Sequence, residues 1–169
     1  MDEDLLRRVY DASYRRLVGQ LYAVCGDLVE AEDAVAEAFT RAVAQGRRFE
    51  KVDNHEAWLR TVAVNVARSR HRRRVVGERL RSHAPEPHHP PDLADDRLAL
   101  VAALRRRSAG QRECLALHYL ADLPLHEVAR TLDVPVGTVK ARLSRGRTAL
   151  AALLAPAPDP VVTEEARHA

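Results

Sequence analysis

Between Leu125 and Leu150 the apolar residues recur at helical rather than alternating spacing. Leu125, Val128, Ala129 and Leu132 stand at i, i+3, i+4 and i+7, the single stripe of an amphipathic helix. Asp133, Val134 and Pro135 interrupt it, because proline has no N–H to continue a helix and pushes Val134 toward extended backbone. A second helix starts there, with Pro135 tolerated near its first turn, Gly137 in the joint, and Val139, Leu143, Gly146 and Leu150 on one face. Ala141, Ser144 and Arg145 point away from that face, flanked by Lys140 and Arg147 on one side and Thr138 and Arg142 on the other. Two helices in a tight turn, the second anchored by its apolar face and small, polar or cationic opposite, suit a DNA major groove. The pattern predicts a helix-turn-helix.

The same periodicity predicts helices over most of the chain. One runs from about Asp4 to Cys25 and ends near Gly26. The next runs from about Glu30 to Ala44, with Val35, Ala38, Phe39, Ala42 and Val43 inward and Glu30, Asp33, Glu37 and Arg41 outward. A third starts after Asp53, which has Glu56 in capping-box spacing, and continues to about Arg72. Others are expected from Asp95 to Arg107 and from Ser108, which has Gln111 three residues on. Between them lie Pro85, Pro87, Pro90 and Pro91, interleaved with His83, His88 and His89 and lacking any helical stripe. That segment reads as an extended linker, able to hold its flanks tens of ångströms apart at ~3 Å per residue. The expectation is an all-α chain of two small helical modules, 1–74 and 95–154, joined by a flexible Pro/His-rich linker, 75–94, and followed by a Pro-marked tail, 155–169.

Composition agrees with helix. Of 169 residues 46% are hydrophobic but only 4% aromatic, so the core must be built from Ala, Leu and Val. The formal net charge of +3 hides segregation: Glu30, Glu32, Asp33 and Glu37 form an acidic block, and Arg68, Arg70, Arg72, Arg73 and Arg74 a basic one. Segregated charge suggests partners of opposite sign. Cys25 and Cys114 are expected as small buried hydrophobes in a reducing compartment. No run approaches the roughly 18 apolar residues of a membrane span and MDEDLLRR is not a signal peptide, so the expected location is cytoplasmic.

The third helix carries a second pattern. Trp58, Thr61, Asn65, Arg68 and Arg72 share one stripe, followed by the cluster HRRR at 71–74. An indole, groups able to bond base edges, and guanidinium groups together suit single-stranded or melting DNA; stacking of a base on an aromatic ring contributes about 1–3 kcal/mol. A metal-dependent enzyme using His83, His88, His89, Asp92, Asp95 and Asp96 is disfavoured, because a Pro-rich segment gives no rigid scaffold for ligands. Neither a Gly-rich phosphate loop nor a nucleophile–base signature occurs, so no catalytic residue, metal or cofactor is expected. An autonomous helix-turn-helix regulator would explain Leu125–Leu150 but leaves the acidic helix and the Trp58 stripe without a use.

Taken together, these patterns resemble bacterial sigma factors of the sigma-70 family, in particular the extracytoplasmic-function group. GDLVEAEDAVAEAFTRAV resembles the region two helix that grips the polymerase clamp. NHEAWLRTVAVNVARSRHRRR resembles the helix that melts and reads the minus-10 element, and QRECLALHYLADLPLHEVARTLDVPVGTVKARLSRGR resembles region four, which reads the minus-35 element. The resemblance implies a promoter-specificity factor that is not an enzyme, a monomer when free, with core RNA polymerase and promoter DNA as partners and an anti-sigma protein as a candidate third. By position it implies polymerase contacts at Glu30, Asp33, Glu37 and Arg41. For the minus-10 element it implies Arg48, Asn54, Trp58, Thr61, Asn65, Arg68 and Arg72, with the loop from Arg47 to His55 receiving a flipped base. For the minus-35 element it implies Thr138, Lys140, Arg142, Ser144, Arg145 and Arg147. Ala36 replaces a usual glutamine, and Ala141 and Gly146 a usual serine and alanine; the glycine costs ~1 kcal/mol of helix propensity.

Overall fold

The computed structural model describes residues 2–78, 86–90 and 95–154, and among them every regular element is helical. Helix α1 (Glu3–Cys25) starts where the Asp2 carboxylate accepts the Asp4 N–H at 2.9 Å. It stops at Gly26, whose φ of 75° is in the left-handed region and whose N–H bonds the Tyr22 carbonyl at 2.7 Å. Asp27 then caps α2 (Leu28–Gln45), accepting the Glu30 N–H at 2.9 Å. A single turn, α3 (Arg47–Glu50), leads to α4 (His55–Glu78).

These helices pack as a bundle because α2 buries a stripe of small residues. Ala31, Ala34, Ala38 and Ala42 are all fully buried, which brings α2 close to both α1 and α4. Leu17, Leu21, Phe49, Leu59 and Val64 fill the space between. One charged group is built into the bundle. Arg60, only 7% exposed, donates from Nε to Gln20 Oε1 (2.9 Å) and from Nη2 to Glu56 Oε1 (3.0 Å), and Arg16 Nε reaches the same Glu56 oxygen at 2.9 Å. A buried guanidinium is tolerated when its donors are satisfied in this way.

The second bundle comprises α5 (Asp95–Arg105), α6 (Ala109–Leu115), a π-helical stretch (Ala116–Leu120), α7 (Leu125–Leu132) and α8 (Val136–Leu154). Ser108 Oγ caps α6 by accepting the Gln111 N–H. The π stretch is closed by the Ala121 N–H on the Ala116 carbonyl at 3.1 Å, and His118 Nδ1 is 2.8 Å from the Leu123 carbonyl oxygen. Val101, Leu104, Leu115, Leu117, Val128, Leu132, Val139 and Leu143 form the interior.

Several expectations are corrected. Val43, expected inward, is 51% exposed, because α2 turns its alanine stripe rather than its valine to the core. The cap of α4 is Asn54, whose Oδ1 accepts the Ala57 N–H at 2.9 Å, not Asp53; Glu56 is drawn instead to Arg16 and Arg60. Helix α4 continues past Arg72 to Glu78, so residues 75–78 are helix and not linker. The largest difference concerns the linker's freedom. Residues 86–90 form no regular element, but His88 N–H donates to Asp27 Oδ2 (2.7 Å), the His88 carbonyl accepts the Leu28 N–H (2.8 Å), and His89 Nδ1 lies 2.6 Å from the Tyr22 hydroxyl. Residues 79–85 and 91–94 and the tail lie outside the described residues.

Nor are the two bundles held apart. Their buried residues form one continuous core, with α1 against α5, α6 and the π stretch, and α4 against α7. Gly26 leaves room for the Arg105 side chain: a Cβ there would lie 2.5 Å from Arg105 Cγ.

Candidate nucleic-acid interface

The helix-turn-helix is formed as its periodicity implies. Helix α7 ends in a left-handed Asp133 (φ 52°, ψ 54°), and the Val134 N–H returns to the Ala129 carbonyl at 3.0 Å. Pro135 then precedes α8, with its carbonyl accepting the Thr138 and Val139 N–H groups. Val139, Leu143 and Gly146 face inward, and Lys140, Ser144, Arg145 and Thr148 lie exposed on the far side. Thr138 is half-buried beside them.

Two of the expected cations are placed differently. Arg142 is tucked inward: its guanidinium covers Gly110, where a Cβ would come within 2.9 Å of Cζ, and it stands beside the Cys114 thiol. Arg147 is exposed but donates to the Tyr119 hydroxyl at 3.2 Å. Gly146 has a structural reason, since a Cβ would lie 2.8 Å from Leu115 Cδ1, so the glycine lets α8 approach α6.

The stripe on α4 is divided between two roles. Trp58 packs edge-on against Phe49 (5.2 Å, 65°) and, with Arg41, Ala44, Gln45, Arg48 and Val62, lines an open groove of about 580 Å³. The Thr61 hydroxyl is used locally, donating to the Ala57 carbonyl at 2.9 Å. Asn65 and Arg72 are exposed, the latter donating to Ser69 Oγ. Arg68 faces the second bundle instead: Nη1 donates to the Leu132 carbonyl at 2.8 Å, capping the end of α7, and Nε lies 3.5 Å from Glu113 Oε1. Glu113, 6% exposed, has its carboxyl pushed above the usual range by burial, an effect that Arg68, Arg112, Arg142 and Arg72 oppose. Arg112 Nε completes the seam by donating to the Val24 carbonyl at 2.7 Å.

The acidic face is likewise partly occupied. Arg70 pairs with Asp33 at 3.3 Å and Arg74 with Glu30, so part of the acidic block is paired with part of the basic one across α2 and α4. Glu37 pairs one turn on with Arg41 at 3.0 Å, both toward solvent next to exposed Ala36 and Thr40. Sequence reasoning did not find Glu113 or Arg112 as seam residues; a charged pair inside GQRECL was the only signal available.

Comparison with known proteins bears on this arrangement. The family model described as sigma-70 region 2 matches residues 9–75, and that described as sigma-70, region 4 matches residues 97–150. The ECF RNA polymerase sigma factor SigL of Mycobacterium tuberculosis is 34% identical over 146 residues, covering 82% of each chain. The chain belongs to the sigma-70 family, in its extracytoplasmic-function group. A second member, SigW of Bacillus subtilis, is 28% identical over 165 residues and covers 88% of each chain. Among solved structures, the sigma factor RpoE of Bartonella quintana, crystallised with the anti-sigma factor NepR, superposes with a TM-score of 0.75 at 25% identity, covering 90% of this chain and 98% of that one. CnrH, solved with the cytosolic domain of CnrY, shares the fold with a TM-score of 0.65.

Proposed function

We propose that this sigma factor docks on core RNA polymerase through the solvent face of α2 and directs initiation by reading two promoter elements with separate modules. The exposed row Lys140, Ser144 and Arg145 on α8, above a well-formed helix-turn-helix, is the observation that carries the reading. These residues contact the minus-35 duplex, with Arg145 placed for a base edge and Lys140 for phosphate. Thr138 and Arg147 flank the row, and Arg142 supports it from behind.

Downstream, the groove lined by Arg48 and Trp58 receives an unstacked base of the minus-10 element, while Asn65 and Arg72 track the strand. Asn54 fixes the start of α4, the helix that carries Trp58, as its cap. On α2, Glu37 and Arg41 with Ala36 and Thr40 form the polymerase contact; Glu30 and Asp33 are already engaged by arginines and contribute less. The chain performs no covalent step and acts in the cytoplasm, where the polymerase is. RpoE was solved bound to an anti-sigma factor, and the similarity supports such a partner here as well.

The decisive experiment is in vitro transcription with purified core polymerase and genomic fragments, with start sites mapped. Promoter-specific transcripts dependent on this chain are expected, and Glu37→Ala with Arg41→Ala should weaken capture of core polymerase. A chain that never associates with core polymerase at any ionic strength overturns the reading.

A further inference from the structure

Tyr119 lies outside the helix-turn-helix, yet its hydroxyl meets the recognition helix. It belongs to the π-helical stretch, whose closing bond, from the Ala121 N–H to the Ala116 carbonyl at 3.1 Å, spans one residue more than an α turn. Within that stretch His118 is held back, with Nδ1 2.8 Å from the Leu123 carbonyl oxygen, and its ring braces the Tyr119 ring edge-on at 4.7 Å. The Tyr119 ring borders an apolar hollow lined by Leu100, Leu104, Leu115 and Leu150, while the residue stays 50% exposed.

Arg147 Nη1 donates to the Tyr119 hydroxyl oxygen at 3.2 Å. A phenol also carries one proton to donate, and among the described residues the Tyr119 proton has no acceptor. Nor does Arg147 pair with a carboxylate among them. A guanidinium and an unspent O–H therefore stand side by side, open to solvent, which suits an anion with two acceptor oxygens. Lys140 and Arg147 are seven residues apart and so lie on one line of α8, a helix without an acidic residue. A protein carboxylate would offer the same two oxygens, but this uniformly basic edge favours a polyanion.

We propose that Tyr119 and Arg147 form a phosphate clamp: Arg147 pairs with one non-bridging oxygen of the DNA backbone, Tyr119 donates its proton to the other, and the hydrogen bond between them holds the two donors in register. This rests on the reading of α8 as the helix that meets duplex DNA. The phenol also anchors a side chain that otherwise loses much rotamer freedom on binding. The contact comes from the π stretch, so it adds a residue that the pattern of the helix-turn-helix does not contain.

Tyr119→Phe in the full chain keeps the ring and its packing and removes only the hydroxyl. A phosphate contact carries no sequence information, so a labelled duplex of unrelated sequence serves as well as one bearing a mapped minus-35 element. In anisotropy titrations Tyr119→Phe should weaken binding to both roughly fivefold. The slope of log K against log salt should stay unchanged, because a neutral donor releases no counterion. Arg147→Ala should make that slope shallower by about 0.9, and in its background Tyr119→Phe should have no further effect. Undiminished binding by Tyr119→Phe overturns the clamp, as does full additivity of the two substitutions. Loss of core-polymerase capture by Tyr119→Phe with duplex binding intact also overturns it and assigns the pair to a protein carboxylate. A chain that shows the Tyr119 effect on duplex but directs no transcript keeps the clamp and loses the promoter reading; one that binds no duplex loses both.

Discussion

Glu113 shows how one residue can be governed by opposing effects. Its carboxylate faces Arg68 and has Arg112 as a chain neighbour, yet burial is the leading influence and holds the group above the usual 4.5. The folded chain therefore holds this proton more tightly than the unfolded chain, and unfolding releases it in the window that opens at about 4.5 and extends upward. Stability from this group is greatest below that window and falls as pH rises through it. Glu113→Gln has no such titration. Urea midpoints measured from pH 4 to pH 7 should show the wild type losing ground to the variant as pH rises. A wild type that instead gains on the variant would mean that attraction to Arg68 outweighs burial. Cys25 follows the same logic: burial pushes its thiol up to about 12, which leaves little nucleophilic thiolate at neutral pH.

Among the elements, α8 sets two glycine effects against each other. Replacing Gly146 by alanine gains ~1 kcal/mol of helix propensity. The added Cβ, however, meets Leu115 Cδ1 at 2.8 Å and Cγ at 3.2 Å, and Leu115 is itself buried in a packed interior. Overpacking of that kind costs about 1–3 kcal/mol. Gly146→Ala should therefore lower the unfolding free energy by about 1 kcal/mol, read as a lower urea midpoint, and a rise would show that Leu115 finds a second rotamer at no cost. The contrast also marks what could be read in advance. The stripes of α2, α7 and α8 are legible because each helix buries one face, and periodicity reports burial directly. Helix α3 was not legible: four residues cannot sustain a helix, and this turn exists because Phe49 is buried beneath it. The π stretch depends on one displaced hydrogen bond, which leaves no periodic trace. The α4 stripe suggests a DNA contact for Arg68, but its partners, Glu113 and Leu132, are 45 and 64 residues distant, and no local pattern encodes such pairings.

For the whole molecule, the packing of the two bundles treats the two proposed DNA surfaces unequally. On α8 the row Lys140, Ser144 and Arg145 is open to solvent, whereas Arg68 on α4 is committed to the seam. On the proposed reading, the chain in this arrangement meets duplex DNA with few cations. Few contacts mean a shallow salt dependence. With three exposed cations on α8, Lys140, Arg145 and Arg147, the slope of log K against log salt should be about −3, from −0.9 per phosphate neutralised. Arg145→Ala should make that slope shallower by about 0.9 and, where the side chain forks onto a guanine, cost about 1–3 kcal/mol on the cognate duplex alone. Arg142→Ala should leave the slope nearly unchanged, because its guanidinium lies against Gly110 with Nη1 buried. Anisotropy titrations of a labelled minus-35 duplex over 50–300 mM salt separate the two substitutions. An equal change of slope for both would place Arg142 at the DNA surface after all, and require α6 to shift when the duplex binds.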